Sequence, residues 1–213
     1  MGAADRSRLL VATRSAHKLR ELRESLGPLR TQLLSLDDAG IPGEATEDGA
    51  TFEANAAIKA RFFAALSGLP TLADDSGLEV DALNGGPGVR TKRYAGENAT
   101  DEENNARMLL DLAGLPLERR TARYRCALAL ALPEEAGPRG GQPLRLARGT
   151  LEGRIALSPR GGGGFGYDPI FEPASEPLGG RTLGEWTAEA KNRISHRGRA
   201  ARRMHRILAE LGF

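Results

Sequence analysis

Two adjacent carboxylates are the first place in this chain where chemistry suggests itself. Asp74-Asp75-Ser76-Gly77 lies between two apolar runs, Thr71–Ala73 and Leu78–Leu83, which read as short strands. Neighbouring carboxylates repel, and turn chemistry alone does not require both. Successive side chains on extended backbone point to opposite sides, so one Asp could face a ligand while the other braces the loop. Such a carboxylate could help hold Mg²⁺, which takes carboxylate, water and phosphate oxygens. It could also accept a proton from an attacking water. The same four residues would equally suit a plain turn joining the two strands.

Four other segments could carry chemistry. Thr13-Arg14-Ser15-Ala16-His17-Lys18 follows the apolar run Leu9–Ala12 and precedes Leu19, Leu22 and Leu26 at helical spacing. Unpaired N–H groups at a helix N-terminus favour anions, and Thr13, Ser15 and Lys18 add two hydroxyls and a cation. An ordinary N-cap with a solvated lysine would look the same. Asn55 and Lys59, four apart, share a helix face among Ala54, Ala56, Ala57, Ile58 and Ala60. An ammonium there either meets an anion or snorkels to water. Glu47-Asp48-Gly49, just upstream, offers carboxylates to a metal. Pro159–Pro169 holds four consecutive glycines and then Phe165-Gly166-Tyr167-Asp168. Glycine permits close backbone approach to a ligand, and the aromatics offer faces on which a base could stack; a flexible loop with two core aromatics is the alternative. Lys191-Asn192-Arg193-Ile194-Ser195-His196-Arg197-Gly198 gathers cations, a hydroxyl and an imidazole, able to cap a helix, bind phosphate or meet a carbonyl-bearing base.

The elements that must position these residues alternate between strand and helix, which makes the class α/β. Gly27-Pro28 ends the first helix, and a second spans Thr51–Leu66 with Phe52, Ala56, Phe63 and Leu66 near one face. Thr100-Asp101-Glu102-Glu103 is a capping box opening a third helix, with Met108, Leu109 and Leu112, that closes at Gly114. Thr121–Leu132 is the longest strand candidate, residues 133–143 read as a surface hairpin loop, and Arg145–Leu157 supplies one or two strands. Met204, Ile207, Leu208 and Leu211 mark the apolar stripe of the last helix.

Composition narrows the function. The 213 residues carry 30 Lys and Arg against 28 Asp and Glu, a net +2, which argues against a generic nucleic-acid coat. One cysteine and three dispersed histidines leave no disulfide framework and no zinc cluster. No Gly-x₄-Gly-Lys-Ser/Thr loop and no Gly-x-Ser-x-Gly elbow is present. Neither a membrane span nor a leader is legible, so a cytoplasmic location is expected. Residues 31–58 hold six acidic side chains and no Lys or Arg, whereas residues 191–213 are strongly basic. The basic tail is either a solvated helix face or a positive wall for an anionic ligand.

Five ordered blocks, VATRSAHKLREL, EDGATFEANAAIKA, LADDSGLEVDALNGGPGV, PRGGGGFGYDPIF and EAKNRISHRGRA, together resemble the inosine triphosphatase (Ham1-like) family from about Leu9 to Met204. The resemblance implies one nucleotide pyrophosphatase domain over residues 1–213, with a long mixed sheet flanked by helices and two lobes around a central cleft. It implies Mg²⁺-dependent hydrolysis of ITP, dITP and XTP to the monophosphate and pyrophosphate, which would cleanse the nucleotide pool. A homodimer without stable nucleic-acid or membrane binding is expected; a phosphatase releasing orthophosphate, or a non-catalytic nucleotide- or RNA-binding module, is the alternative. Asp75 would be catalytic base and metal ligand, with Glu47 as the second carboxylate and Ser76 touching substrate. Thr13, Arg14, Ser15, Ala16, His17 and Lys18 would form the phosphate turn, joined by Asn55 and Lys59. Phe165, Gly166, Tyr167 and Asp168 would clamp the nucleoside, and Lys191, His196 and Arg197 would recognise the base. The chain departs from the family pattern at Thr13-Arg14-Ser15, where Thr-Gly-Asn is usual, and at Thr91-Lys92-Arg93, where Ser-Ala-Arg is usual. Thr46 stands where some members place a metal carboxylate, so Glu47 is the expected substitute.

Overall fold

The computed structural model describes residues 7–133 and 144–213, so all of the expected hairpin loop at 133–143 except Pro133 lies outside the described residues. Among those residues the strands are β1 (Arg8–Ala12), β2 (Gln32–Ser35), β3 (Thr71–Val80), β4 (Thr121–Ala131), β5 (Arg145–Ile155) and β6 (Phe171–Pro173). The helices are α1 (Ala16–Leu26), α2 (Phe52–Ser67), α3 (Asp101–Asp111), α4 (Ala188–Ile194) and α5 (His196–Glu210). The strands form one sheet in the order β2-β1-β3-β4-β5-β6. β1 runs parallel to both β2 and β3, and β6 runs antiparallel to β5, which makes the sheet mixed as expected.

The chain divides into two compact units. The first comprises Met1–Asp75, Cys126–Gly149 and Arg197–Phe213; the second comprises Ser76–Arg125 and Thr150–His196. In the first, β1 is a continuous apolar run because a parallel strand is covered on both faces: Leu9, Leu10 and Val11 are fully buried. Leu22 and Leu26 of α1 and Met204 and Leu208 of α5 join Leu128 and Leu130 in its core. Ile207 and Leu211 of the predicted stripe are partly buried against it. In the second unit the core gathers Leu78, Met108, Leu112, Tyr124, Ile155 and Phe171.

Local chemistry explains several element ends. The Ser15 hydroxyl accepts the Lys18 N–H at 3.4 Å, and Thr51 does the same for Ala54 at 3.1 Å, each satisfying an otherwise unpaired donor. The Thr100–Glu103 capping box forms reciprocally. Gly68 ends α2 in the left-handed conformation, its N–H donating to the Ala64 carbonyl at 3.0 Å.

Four features differ from the sequence expectation. Thr71–Ala73 and Leu78–Leu83 are not two strands around a turn: β3 runs unbroken from Thr71 to Val80, and a short 3-10 turn occupies Asp81–Leu83. β2 was not anticipated. Leu66 does not complete the apolar face of α2; it is 54% exposed while Phe52, Ala56 and Phe63 are buried. The basic segment before α5 is itself helical, capped by the Thr187 hydroxyl and ended by extended Ser195.

Candidate functional site

Because β3 continues through Asp74 and Asp75, their side chains leave on opposite sides of the strand, and the two carboxylates meet different surroundings. Asp74 points into the first unit and is buried. Lys18 Nζ lies 2.7 Å from its Oδ1, while Arg197 Nε donates to Oδ2 at 3.0 Å and the Cys126 thiol donates to the same oxygen at 3.2 Å. Burial alone would raise the Asp74 pKa, but the Arg197 and Lys18 charges outweigh it and hold the group well below the usual carboxylate range. Burial and the neighbouring Asp74 charge push the Cys126 thiol well up.

Asp75 meets the other set of partners. Its Oδ1 lies 3.4 Å from Lys59 Nζ, which also pairs with Glu47 Oε2 at 2.8 Å. Its Oδ2 is buried without a hydrogen-bond partner. Burial raises the Asp75 pKa and outweighs the lowering by Lys59 and Lys18, with Glu47 and Asp74 adding to the rise. Lys59 loses stability as a cation through burial, yet Asp75 and Glu47 more than restore it, and its pKa is raised. Asn55, one helical turn before Lys59, accepts the Gly49 N–H at 2.8 Å and so fixes the coil that carries Glu47.

Thr13, Arg14 and Ser15 form the connection between β1 and α1. The Ser15 N–H donates to Thr13 Oγ1 at 3.2 Å, and Ser15 caps α1. Ala16 and His17 are exposed in its first turn, with His17 Nδ1 3.2 Å from Arg20 Nη2. Arg14 points away from this turn onto a neighbouring loop, donating to Asp37, Ile41 and Gly43.

Arg197 differs most from its expected role as a reader of the base. It is 2% exposed and its guanidinium binds Asp74 and Glu21 inside the first unit. Sequence reasoning missed Glu21 and Cys126 as members of this cluster. Glu21 had one available signal, its position three residues after Lys18 on the same face of α1.

In the second unit, Asp168 organises the glycine-rich segment. It is buried, pairs with Lys191, accepts the Phe165 N–H at 2.9 Å and accepts the Tyr124 hydroxyl at 3.4 Å. Gly164 sits at φ +76°, and a Cβ there would fall 2.1 Å from Asp168 Oδ2, so only glycine fits. The Gly166 N–H donates to Asp101 at 2.6 Å, and the Tyr167 hydroxyl donates to the Thr91 carbonyl at 2.7 Å. Tyr167 and Asp168 are thus anchors of the loop, while Phe165 is half-buried with Lys191 Nζ 4.6 Å from its ring centroid. His196 is buried and stacks on Tyr124, with ring centroids 4.7 Å apart and planes 8° from parallel. Ser76 is buried at the start of this unit. Tyr124 and Asp101 carried no sequence signal beyond strand alternation and a helix cap.

Among the described residues no set of three His, Cys, Asp or Glu side chains forms a ready metal cage, and no helix is long and apolar enough to cross a membrane. Two carboxylates on one ammonium, one with an unpartnered oxygen, nevertheless suit Mg²⁺, which is commonly held by one or two carboxylates plus substrate phosphates.

The chain is 52% identical over 194 residues to a dITP/XTP pyrophosphatase of Geobacter sulfurreducens, covering 91% of this chain and 92% of that protein. A dITP/XTP pyrophosphatase of Nocardia farcinica is 48% identical over 208 residues, covering 96% of each. The solved structure of a HAM1 protein from Coxiella burnetii superposes with a TM-score of 0.83 at 41% identity, over 95% of this chain and 98% of that one. Residues 9–207 match the Ham1 family, and with relatives of this similarity over nearly the whole length, the chain belongs to that family.

Proposed function

We propose that this protein hydrolyses non-canonical purine nucleoside triphosphates, ITP, dITP and XTP, to the monophosphate and pyrophosphate. The observation that carries this reading is the division of labour on β3: Asp74 is neutralised inside the unit, and Asp75 keeps a buried, unpartnered oxygen beside Lys59 and Glu47. The relatives named dITP/XTP pyrophosphatase support the choice of substrate class.

Asp75 accepts a proton from the attacking water, a role suited to a carboxylate whose pKa burial has raised. Lys59 and Lys18, together with the N-terminus of α1, neutralise phosphate charge. Asp75 and Glu47 would hold Mg²⁺, which when bound supplies positive charge to the phosphate oxygens. Phe165 offers a stacking face to a purine, and Lys191 and His196 can donate hydrogen bonds to the C6 oxygen that hypoxanthine and xanthine share and adenine lacks. Arg197 serves by fixing Asp74 in place. We also read the enzyme as a cytoplasmic homodimer, which light scattering on the purified protein and fractionation of cells check.

³¹P NMR of the ITP reaction, with and without Mg²⁺, tests the assignment. IMP with pyrophosphate, formed only with the cation, is expected. IDP with orthophosphate would overturn it.

A further inference from the structure

Arg14 is one of the two residues, with Ser15, at which the first block departs from the family pattern, and its guanidinium faces a neighbouring loop. Nη1 donates to Asp37 Oδ1 at 2.8 Å, and Nη2 donates to the carbonyls of Ile41 and Gly43 at 2.9 and 3.0 Å. The segment it grips is already a tight turn, with Ala39 N–H donating to the Ser35 carbonyl at 3.1 Å and Ile41 N–H to that of Leu36 at 2.9 Å. Beyond Gly43 the chain runs as exposed coil through Glu44, Thr46 and Asp48. Its next anchor is Gly49, whose N–H donates to Asn55 Oδ1 at 2.8 Å. Glu47, which pairs with Lys59 at 2.8 Å, is therefore suspended between two anchors, one at each end of this coil.

We propose that Arg14 is a positioning residue: it straps the 37–43 loop to the β1–α1 turn and so presents Glu47 to Lys59 and Asp75. The proposal rests on the reading of Glu47 and Asp75 as the cation-binding carboxylates. A planar guanidinium can reach three acceptors in a fixed fork, whereas a lysine ammonium is a point charge on a flexible stem. The exposed pair with Asp37 contributes little by itself. The two carbonyl bonds matter because they fix backbone, and loss of both frees the coil as far as Gly49.

The test compares wild type with R14A, R14K and E47Q. Hydrogen exchange of the Ala39, Gly40, Ile41 and Gly49 N–H groups, which are hydrogen-bonded at the two anchors, is measured without nucleotide or cation, and the Mg²⁺ concentration for half-maximal ITP hydrolysis is measured alongside kcat. In R14A, exchange of the Ala39, Gly40 and Ile41 groups should rise at least about tenfold while α2 stays protected, as expected when a local anchor opens without global unfolding. The half-maximal Mg²⁺ concentration should rise roughly tenfold with kcat changed less than about threefold, the pattern of lost ground-state positioning. R14K should behave as R14A does. Recovery of wild-type values in R14K would assign Arg14 to phosphate charge and overturn the strap, as would unchanged exchange in R14A. An E47Q variant with wild-type Mg²⁺ dependence would instead overturn the cation reading, whatever the exchange shows.

Discussion

Replacing Arg197 by Ala separates a residue that reads the base from one that holds the fold. In the structure the guanidinium and the Asp74 carboxylate are both fully buried, with side-chain exposures of 2% and 0%, and Glu21 binds the other side of the guanidinium. Removing one partner of a buried pair costs about 3–5 kcal/mol, because the remaining charge is left in a poor solvent. For a chain of this size that amounts to a fall in Tm of roughly 6–20 °C at neutral pH. The sign of the pH dependence follows from Asp74. Its folded pKa is depressed, so its contribution to stability is present above the unfolded value near 3.8 and is lost as pH falls through the still lower folded value. Without Arg197, burial acts on Asp74 with the Lys18 charge but no guanidinium opposing it, so the gap between variant and wild type should be wide at pH 7 and narrow toward pH 3. Thermal unfolding followed by circular dichroism across that range, with kcat/KM for ITP and ATP on the same preparations, measures both consequences. The ratio of the two substrates should stay within about threefold of wild type, since the guanidinium serves Asp74 rather than the purine. A variant of wild-type Tm that no longer distinguishes ITP from ATP would refute this reasoning.

Asp75→Asn should keep the circular dichroism of the wild type and lose about 10²–10⁴ in kcat, the usual worth of a general base; near-normal turnover would remove Asp75 from that role. In cation-free protein the Asp75 carboxyl should titrate above an ordinary aspartate, and Lys59→Met should move it higher still; carboxyl NMR showing a normal or lowered value would contradict the burial argument. Gly164→Ala forces a Cβ against Asp168 at a positive φ, so it should lower Tm by several degrees, at about 1–3 kcal/mol for the backbone alone, and weaken ITP binding. Unaltered values would show that the loop relaxes freely. The lone Cys126 is buried with a raised pKa, so a thiol reagent should leave native protein unmodified and label it once in denaturant.

The parts of the fold legible in the sequence were those set by neighbours along the chain. Ser15, Thr51 and Thr100 announce helix starts because a cap needs only the next three residues, and Gly27 announces the end of α1 for the same reason. The Asn55–Lys59 pairing on one helix face was likewise visible from spacing. Asp74-Asp75-Ser76-Gly77 was misleading because its composition favours a turn, and what keeps it extended lies far away in sequence. Lys18 and Arg197 neutralise Asp74, which lets a charged residue occupy the middle of a strand. Cys126 was invisible for that reason, and Glu21 showed only its spacing from Lys18, since each meets Asp74 or Arg197 through tertiary packing. Arg197 looked like a ligand contact because its neighbours in sequence are polar and basic. Its environment is set instead by α1 and β3.

The division of the chain into two units has a consequence for its modularity. The boundaries fall after Asp75, Arg125, Gly149 and His196, inside β3, β4, β5 and α5. No unit can be excised without cutting a strand partway along its ladder and stranding its unpaired backbone groups at the cut. Gene fusion or recombination at these borders would therefore yield aggregating fragments rather than interchangeable parts. The two units are compact in space but not separable in heredity, so descent with substitution, rather than shuffling, is the route by which such a fold can diversify.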